Sequence, residues 1–319
     1  MMFRMSNKGK KIGILQIGAI FLSVPALARG LRGLGYRSDI LAFEEHPFGF
    51  DPDYYYPLDG SIKSLVKLIS RWSIKFIGDY SVFHFHVRSL TRSGIDLPFL
   101  RTLGKRVVIH HHGSDLRYWG EKNTFNRFAH EILVSTPDLL KWSPRATYLP
   151  SPISLDSYFN IGVEKKGANE RINIVHAPSK RSVKGTALII KTVDELKRSG
   201  YDVELILVEN LLHKEGIEVY KKADIIIDQI NDLGVHGMVS IEAMALGKPV
   251  ICSVKSEYLE YYPSIPIISS NEVELRSRLV TLIEDGSLRY DLGQKGRKYI
   301  ESNHDSIKIA SRLEKIYDI

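Results

Sequence analysis

The sequence predicts an α/β protein made of two doubly wound, Rossmann-like domains. Short apolar segments alternate with longer amphipathic segments along the chain, which is typical of strands and helices in such domains. The length of 319 residues suits two domains of ordinary size. A content of 44% apolar and 25% charged residues indicates a globular protein with a sizeable core.

The first half begins with a strand, a helix and a second strand. Residues 11–17 form a continuous apolar run, which predicts a buried first strand. Ser23 and Pro25 suit the start of a helix that runs to about Leu34. Further strands are predicted at 38–43, 81–86, 105–112 and 131–135. Gly18 lies at the carboxyl end of the first strand, where sheets of this class bind ligands.

Three consecutive histidines end one of these predicted strands. Successive side chains of a strand point to opposite faces, so at most His110 and His112 share a face, and a metal site is not expected. One histidine at this edge, beside Gly113, is better placed to contact a bound ligand. His84 and His86 likewise share one face of the preceding strand.

Strands and helices alternate again in the second half. Strands are predicted at 172–176, 203–208, 224–227, 249–252 and 265–268. The polar, proline-stiffened stretch from Tyr148 to Glu170 is predicted to link the two halves. The predicted boundaries are therefore 1–155 for the first domain and 156–302 for the second.

The stretch over residues 238–250 is the most distinctive in the chain. Strong helix formers predict a helix from Met238 to about Leu246, and Gly247 lies where a left-handed residue would end it. Pro249 prevents the helix from continuing, and the apolar residues after it predict a buried strand.

An anion site is predicted at the start of this helix. The preceding loop contains Gly234 and Gly237, and free N–H groups and the positive end of the helix dipole meet there. Glu242, within the helix, can accept hydrogen bonds from neighbouring sugar hydroxyls. A basic loop over 177–185 adds three cations, Lys180, Arg181 and Lys184. Together these groups predict a nucleoside diphosphate site; an ordinary αβ unit with a surface glutamate is the alternative.

Several other classes of function are disfavoured. The sequence has no Walker motif, no Gly-x-Gly-x-x-Gly after the first strand and no Gly-x-Ser-x-Gly motif, which argues against an ATPase, a dehydrogenase and a serine hydrolase. The one cysteine, Cys252, provides neither a disulfide framework nor a zinc site. No membrane-spanning run and no signal peptide are recognised, so a cytoplasmic location is expected.

The net charge of +7 is unevenly distributed. Residues 1–150 carry +9 and the remainder carries −2, so the first half is expected to face an anionic partner. A helix predicted at 61–77 has one basic stripe, formed by Lys63, Lys67, Arg71 and Lys75. This stripe is either a solvated helix face or a contact with an anionic membrane at the inner face of the plasma membrane. No recognised nucleic-acid motif is present, so no nucleic-acid partner is expected.

Taken together, these motifs resemble those of retaining glycosyltransferases of the GT-B fold, family-4 type. The resemblance rests on HHHGSD, VSTPDLL, YLPSPI, HAPSKRSVKGT and, most specifically, GMVSIEAMALGKPVI. It implies two Rossmann-like domains that face a cleft, the first binding the acceptor and the second binding the sugar nucleotide. It also implies that the final helix, over 303–319, crosses back to the first domain.

The resemblance implies roles for individual residues. Lys184 would hold the diphosphate, with Arg181 as a further cation, and Glu242 would bind the ribose. His112 would contact the donor sugar near its reacting carbon, and Gly18 would approach the phosphate from the first domain. The other donor-binding residues would be Ser179, Gly237, Met238 and Val239. No metal and no other cofactor are expected.

The sequence departs from the family pattern at two positions. The family usually has a glutamate eight residues before Glu242, where this chain has Gly234. It usually has an arginine five residues before the diphosphate lysine, where this chain has Ser179. Lys180 and Arg181 are nearby cations that could substitute for that arginine.

The expected activity is transfer of a hexose from a nucleotide sugar, UDP-linked by expectation, with retention of configuration and without a metal. The acceptor would be a saccharide or a lipid-linked saccharide in cell-surface polysaccharide synthesis. The alternatives are a UDP-sugar epimerase of the same fold and a non-catalytic glycosyltransferase-like protein that binds or scaffolds partners. Replacement of Lys184 by alanine is expected to lower turnover strongly without unfolding the protein.

Overall fold

Two parallel sheets, one of seven strands and one of five, form the framework of the protein. The computed structural model describes residues 12–18, 22–45, 49–57, 70, 76–87, 89–91, 94–120, 126–158 and 170–319. The predicted stripe of Lys63, Lys67, Arg71 and Lys75 lies outside these residues. Among the helices that are described, none is long and apolar enough to cross a membrane.

The first sheet is doubly wound. Its strands are β1 (Gly13–Gly18), β2 (Arg37–Ala42), β3 (Tyr54–Tyr55), β4 (Val82–His86), β5 (Arg106–His111), β6 (Glu131–Val134) and β7 (Thr147–Tyr148). Their order across the sheet is β3-β2-β1-β4-β5-β6-β7, so the winding reverses between β1 and β4. Such sheets bind ligands at this reversal, outside the carboxyl ends of the strands. The edge strands β3 and β7 differ from expectation, because two residues are too few to show a periodic pattern.

The second sheet follows the same principle with fewer strands. Its strands are β8 (Ile172–His176), β9 (Val203–Leu207), β10 (Ile225–Ile227), β11 (Val250–Cys252) and β12 (Ile268–Ser269). Their order is β12-β11-β10-β8-β9, which places the reversal between β8 and β10. The loops that follow these two strands carry the predicted anion site.

Helices accompany both sheets. The α-helices of the first half whose bounds are described are α1 (Ser23–Gly33), α2 (Asp96–Thr102) and α3 (Ser114–Trp119), and residues 76–79 are also helical. Those of the second half are α4 (Arg181–Lys184), α5 (Thr186–Arg198), α6 (His213–Lys221), α7 (Met238–Ala245), α8 (Leu275–Glu284), α9 (Gly286–Asn303) and α10 (Ser306–Tyr317). The short helix α4 corrects the prediction of a loop over 177–185, since one turn is too short to show helical periodicity.

The predicted helix and strand over 238–250 are confirmed as α7 and β11. Gly247 has a φ of +72°, the left-handed conformation that ends a helix. The amide of Lys248 then donates to the Ala243 carbonyl at 2.9 Å, which closes the last turn. The helix is buried over most of its length, so α7 is a core element of the second half.

The last helix, α10, packs on the first half of the chain, as the resemblance implied. Ile309, Leu313 and Tyr317 are almost fully buried. They join an apolar cluster with residues of α1 and of β1, β4, β5 and β6. Tyr36 also donates to Glu314 at 2.7 Å. The C-terminal helix is therefore part of the apolar core of the first half.

The chain passes between the two halves at Ile153 and again near Asp305, and these two crossings are hydrogen-bonded side by side. Ile153 N–H donates to the His304 carbonyl at 2.8 Å, and Ser306 N–H donates to the Ile153 carbonyl at 3.1 Å. His304 is also 2.8 Å from the Ser151 carbonyl through its Nδ1. The crossings lie near the predicted domain boundaries at 155/156 and 302/303, which stay predictions.

Gly30 provides a test of the contact between α1 and α10. A Cβ at this position would collide with the carbonyl group of Ser306 and would lie 3.1 Å from Ala310 Cβ. Gly30→Ala is therefore expected to reduce the free energy of unfolding by about 1–3 kcal/mol, the usual effect of overpacking. Urea unfolding measures this change.

Gly33→Ala is the matched control for this prediction. Gly33 lies on the same helix, but a Cβ there would make only ordinary contacts, the nearest 3.6 Å from Ile307. It should leave stability unchanged or slightly higher, because alanine favours a helix over glycine. Equal destabilisation by both substitutions would contradict the close packing of α10 on α1.

Candidate functional site

A cleft between the two halves forms a cavity of about 1360 Å³. Its walls come from the carboxyl ends of β1 and β2 on one side and from the loops after β8 and β9 and the start of α7 on the other. The predicted site residues that line it are Gly18, Ser179, Arg181, Lys184, Met238, Val239 and Glu242. His112 and Gly237 do not line it. The predicted ligand-binding edges of both sheets therefore meet at one cavity.

Lys184, at the end of α4, is held by the residues that follow β10. Its Nζ donates to Asp228 Oδ1 at 2.8 Å and to Gln229 Oε1 at 2.7 Å. Asp228 is fully buried, and its Oδ2 accepts from Gly237 N–H and Ser240 O–H at 2.7 Å each. Burial alone would raise the pKa of this carboxyl, but the Lys184 ammonium and the hydrogen bonds outweigh burial and lower the pKa to about 2. The lysine of the site is thus one half of a buried ion pair.

The start of α7 keeps two backbone donors for a ligand. The N–H of Gly237 is engaged by Asp228, so this amide is not free for the phosphate contact that the resemblance implied. The amides of Met238 and Val239 have no hydrogen-bond partner within the described part of the chain, and both residues line the cavity. These two amides and the positive end of the helix dipole can stabilise an anion in the cavity.

Arg181 also has an acidic partner. Its Nε and Nη2 donate to the two carboxylate oxygens of Glu209 at 2.8 and 2.5 Å. The arginine side chain is more than half exposed, and exposed ion pairs contribute little to stability. Arg181 can therefore exchange Glu209 for a ligand phosphate far more easily than Lys184 can leave Asp228.

Glu242 is buried at the edge of the cavity and keeps one oxygen for a ligand. Its Oε1 accepts from Tyr158 O–H at 3.1 Å and lies 2.5 Å from His213 Nε2. Its Oε2 has no hydrogen-bond partner among the described residues, and the side chain is only 3% exposed. Burial and the Glu242 carboxylate raise the pKa of Tyr158 well above its usual value, so the tyrosine remains a donor.

His213 links the two halves of the chain at this end of the cavity. Its ring centroid lies 5.3 Å from that of Phe50, which belongs to the first half. His213, Tyr158 and Asp228 were not predicted as site residues, although each contacts a predicted one. The only signal in the sequence is that Asp228 and His213 follow predicted strands, at the edge where ligands bind.

His112 is held within the first half rather than directed into the cavity. Its Nε2 lies 2.9 Å from His86 Nδ1, and its Nδ1 lies 2.9 Å from Ser135 Oγ. Burial and the neighbouring histidines lower its pKa well below the usual value, so the ring is neutral. A ring nitrogen of His112 can bond to a ligand only by exchanging one of these two hydrogen bonds.

Positions 18 and 234 both favour glycine, because each has a positive φ and leaves no room for a Cβ. Gly18 has a φ of +114°, and a Cβ there would come within 2.7 Å of the His86 carbonyl oxygen. Gly234 has a φ of +69°, and a Cβ there would collide with the Lys255 side chain. A glutamate at position 234 therefore does not fit this fold.

Neither a family model nor a curated protein matches the chain by sequence. Solved structures do match its fold. An alpha-glucosyltransferase in complex with UDP and a DNA 13-mer with an A:G mismatch has a TM-score of 0.68 at 13% identity, over 97% of this chain and 100% of that one. HepE from Anabaena in complex with UDP-glucose has a TM-score of 0.64 at 13% identity, over 97% and 100%.

The catalytic domain of starch synthase IV from Arabidopsis thaliana, bound to ADP and acarbose, also matches. Its TM-score is 0.59 at 11% identity, over 97% of this chain and 99% of that one. At such low identity these likenesses establish the fold alone. The fold is GT-B: two Rossmann-like units face a cleft, and the last helix crosses back to the first of them.

Proposed function

We propose that the protein transfers a glycosyl group from a nucleoside diphosphate sugar to an acceptor. One observation carries this proposal: a single cavity gathers the Lys184 ammonium with two backbone amides and one carboxylate oxygen. The amides of Met238 and Val239 and the Oε2 of Glu242 have no hydrogen-bond partner among the residues that the structure describes. The ammonium and the two amides suit a diphosphate, and the carboxylate oxygen suits a ribose hydroxyl. The three GT-B structures described above carry UDP, UDP-glucose or ADP, which supports a nucleotide at this site.

The diphosphate would lie between Lys184 and the start of α7. As the glycosidic bond breaks, negative charge grows on the leaving diphosphate, and these fixed donors stabilise it. Because Asp228 and Gln229 already hold the ammonium in place, little reorganisation is needed during the reaction. Arg181 would add a second cation after leaving Glu209.

We further propose that the sugar is a hexose and that its configuration is retained. The leaving phosphate can accept the acceptor proton on the face of the sugar that it leaves, so no second carboxylate is required. Neither a metal nor another cofactor is part of this proposal. To contact the donor sugar, the neutral ring of His112 would first release its hydrogen bond to His86 or to Ser135. We therefore propose a smaller role for His112 than for Lys184.

The acceptor is proposed to be a saccharide or a lipid-linked saccharide at the inner face of the plasma membrane, for cell-surface polysaccharide. The charge of +9 in residues 1–150 supports an anionic acceptor or surface. DNA is the competing acceptor, because the alpha-glucosyltransferase described above was solved with DNA. Measuring UDP release from UDP-glucose distinguishes these two acceptors. Vesicles carrying an anionic lipid-linked saccharide should stimulate the release, and duplex DNA should not.

The donor class is tested first by thermal unfolding with UDP, GDP, ADP and their glucose conjugates, each with and without EDTA. A ligand at 100 times its Kd stabilises the folded state by about 2.7 kcal/mol. One nucleotide is expected to raise the Tm, and EDTA should not reduce the effect. No shift with any nucleotide would support a non-catalytic binding protein. Conversion of the UDP-sugar to its epimer without an acceptor would support the epimerase.

A further inference from the structure

Four histidines form a row inside the first half of the chain. His84 and His86 come from β4, His110 comes from β5, and His112 follows directly after β5. In the register of these strands His86 lies opposite His110. The ring centroids of neighbouring members are 4.3–5.6 Å apart. The chain at β5 alone can place only two of these histidines on one face, and the neighbouring strand β4 supplies the other two.

Two ring nitrogens in this row lack a partner. His84 Nδ1 lies 2.6 Å from Tyr317 Oη, and His110 Nε2 lies 3.0 Å from Ser135 Oγ. Their other nitrogens, His84 Nε2 and His110 Nδ1, are buried and have no hydrogen-bond partner among the described residues. A buried polar atom left without a partner destabilises the folded state, because it loses its hydrogen bonds to water. These two nitrogens are therefore available to bind a ligand inside the first half.

The rings of the row are neutral and can ligate through a lone pair. Burial lowers the pKa of His84 and His86 well below the usual value, and repulsion from the neighbouring histidines lowers it further. Burial likewise lowers the pKa of His110 to about 3. Metal binding by imidazole needs the neutral ring, so no proton has to be removed from these side chains near neutral pH.

We propose that His84, His86 and His110 together bind one divalent transition-metal ion, with Zn²⁺ as the expected occupant. One ring nitrogen of each lies within 4.8 Å of those of the other two. Tetrahedral zinc with Zn–N bonds of about 2.0–2.1 Å places its ligand nitrogens roughly 3.3 Å apart. The ligand nitrogens would therefore approach one another by up to about 1.5 Å. The rings would also turn, because the planes of His84 and His110 lie only 13° apart and their lone pairs must converge on the ion. Imidazole ligands favour Zn²⁺, Ni²⁺, Co²⁺ or Cu²⁺ over Mg²⁺ or Ca²⁺.

The outer hydrogen bonds fit this assignment. If His84 ligates through Nε2, its Nδ1–H donates to Tyr317 Oη; if His110 ligates through Nδ1, its Nε2–H donates to Ser135 Oγ. Such bonds on the second ring nitrogen are the usual way in which a protein orients a metal-binding histidine. His86 would give up one of its bonds, to Gln16 or to His112. The ion would thus lie outside the nucleotide cavity and would join α10, through Tyr317, to β4 and β5.

The test uses the full chain without an affinity tag, stripped with EDTA and dialysed against Zn²⁺. Elemental analysis should find one equivalent of zinc per chain, and the Tm should rise with zinc. The variants His84→Phe and His110→Phe should each lose the bound zinc. His130→Gln is the matched control, because His130 accepts a hydrogen bond from Val107 and lies outside the row, and it should retain the zinc.

Circular dichroism shows whether each variant is folded, and a further measurement needs no variant. The zinc-edge X-ray absorption spectrum of the loaded natural sequence should show three imidazole ligands. Any of three results would overturn the proposal: zinc retained fully by folded His84→Phe and His110→Phe, a spectrum with fewer than three imidazoles, or no zinc retained by the natural sequence. The last outcome would leave a buried water as the partner of the two nitrogens.

Discussion

Lys184→Met is expected to lower the rate of UDP release from the donor about 100- to 1000-fold, the usual effect of removing one fixed donor to a developing negative charge. It is also expected to destabilise the fold by about 3–5 kcal/mol, because it leaves the buried Asp228 carboxylate without its cation. The expectation from sequence, that Lys184→Ala lowers turnover without unfolding the protein, stays a prediction, and the ion pair with Asp228 adds a loss of stability to it. Initial-rate measurements and urea unfolding give the two effects separately.

The double variant Lys184→Met with Asp228→Asn is the control. A neutral amide at position 228 no longer needs a cation, so most of the lost stability should return while the activity stays low. If the double variant were as unstable as Lys184→Met alone, the Asp228 charge would not be the cause. Recovery of activity without Lys184 would remove the lysine from the proposed mechanism.

The contribution of Asp228 to the pH dependence of stability should have opposite signs in the natural sequence and in Lys184→Met. In the natural sequence the pKa of Asp228 is about 2, below the usual value for an unfolded chain, so its contribution to stability is lost as the pH falls from about 4 towards 2. Without Lys184, burial becomes the main influence and raises that pKa above the unfolded value. The single variant should therefore gain stability relative to the natural sequence as the pH falls through the raised pKa.

Glu242→Gln is expected to weaken UDP binding about tenfold to a hundredfold. A hydrogen bond to a charged group contributes about 1.5–3 kcal/mol, and each 1.4 kcal/mol changes the Kd tenfold. The glutamine keeps the volume of the side chain, so the fold should be preserved. Isothermal titration calorimetry with UDP measures the effect.

Ribose recognition is isolated by comparing UDP with its 2′,3′-dideoxy analogue. The natural protein should prefer UDP, and Glu242→Gln should bind the two nucleotides with nearly equal affinity. Tyr158→Phe is the matched variant, since it removes one hydrogen bond to Oε1 of the same carboxylate and leaves Oε2 in place. It should retain most of the preference. A preference for UDP that persists in Glu242→Gln would mean that another residue binds the ribose.

Local sequence was sufficient to predict α7 and its end. The helix formers before Gly247, the left-handed φ of that glycine and the proline after it all act within a few residues of each other. The cluster of Lys184, Met238, Val239 and Glu242 at one cavity could also be anticipated, because the carboxyl ends of parallel strands lie at one edge of a sheet.

The partners of those residues could not be predicted in the same way. The pairing of Asp228 with Lys184 depends on how the end of β10 meets α4, and the sequence separates the two residues widely. His213 and Tyr158 reach Glu242 from different elements for the same reason. The histidine row depends on the register between β4 and β5, which hydrophobic pattern alone does not set residue by residue.

The paired crossings at Ile153 and Asp305 determine how the cleft can open. Two separate connections would let the halves slide and twist independently, whereas two segments joined by a β-bridge are expected to act as a single hinge. We therefore expect relative motion of the halves to be mainly a rotation about an axis near this bridge. The rim of the cavity where Phe50 meets His213 would then separate as the halves rotate, and a nucleotide would enter and leave the cavity on that side.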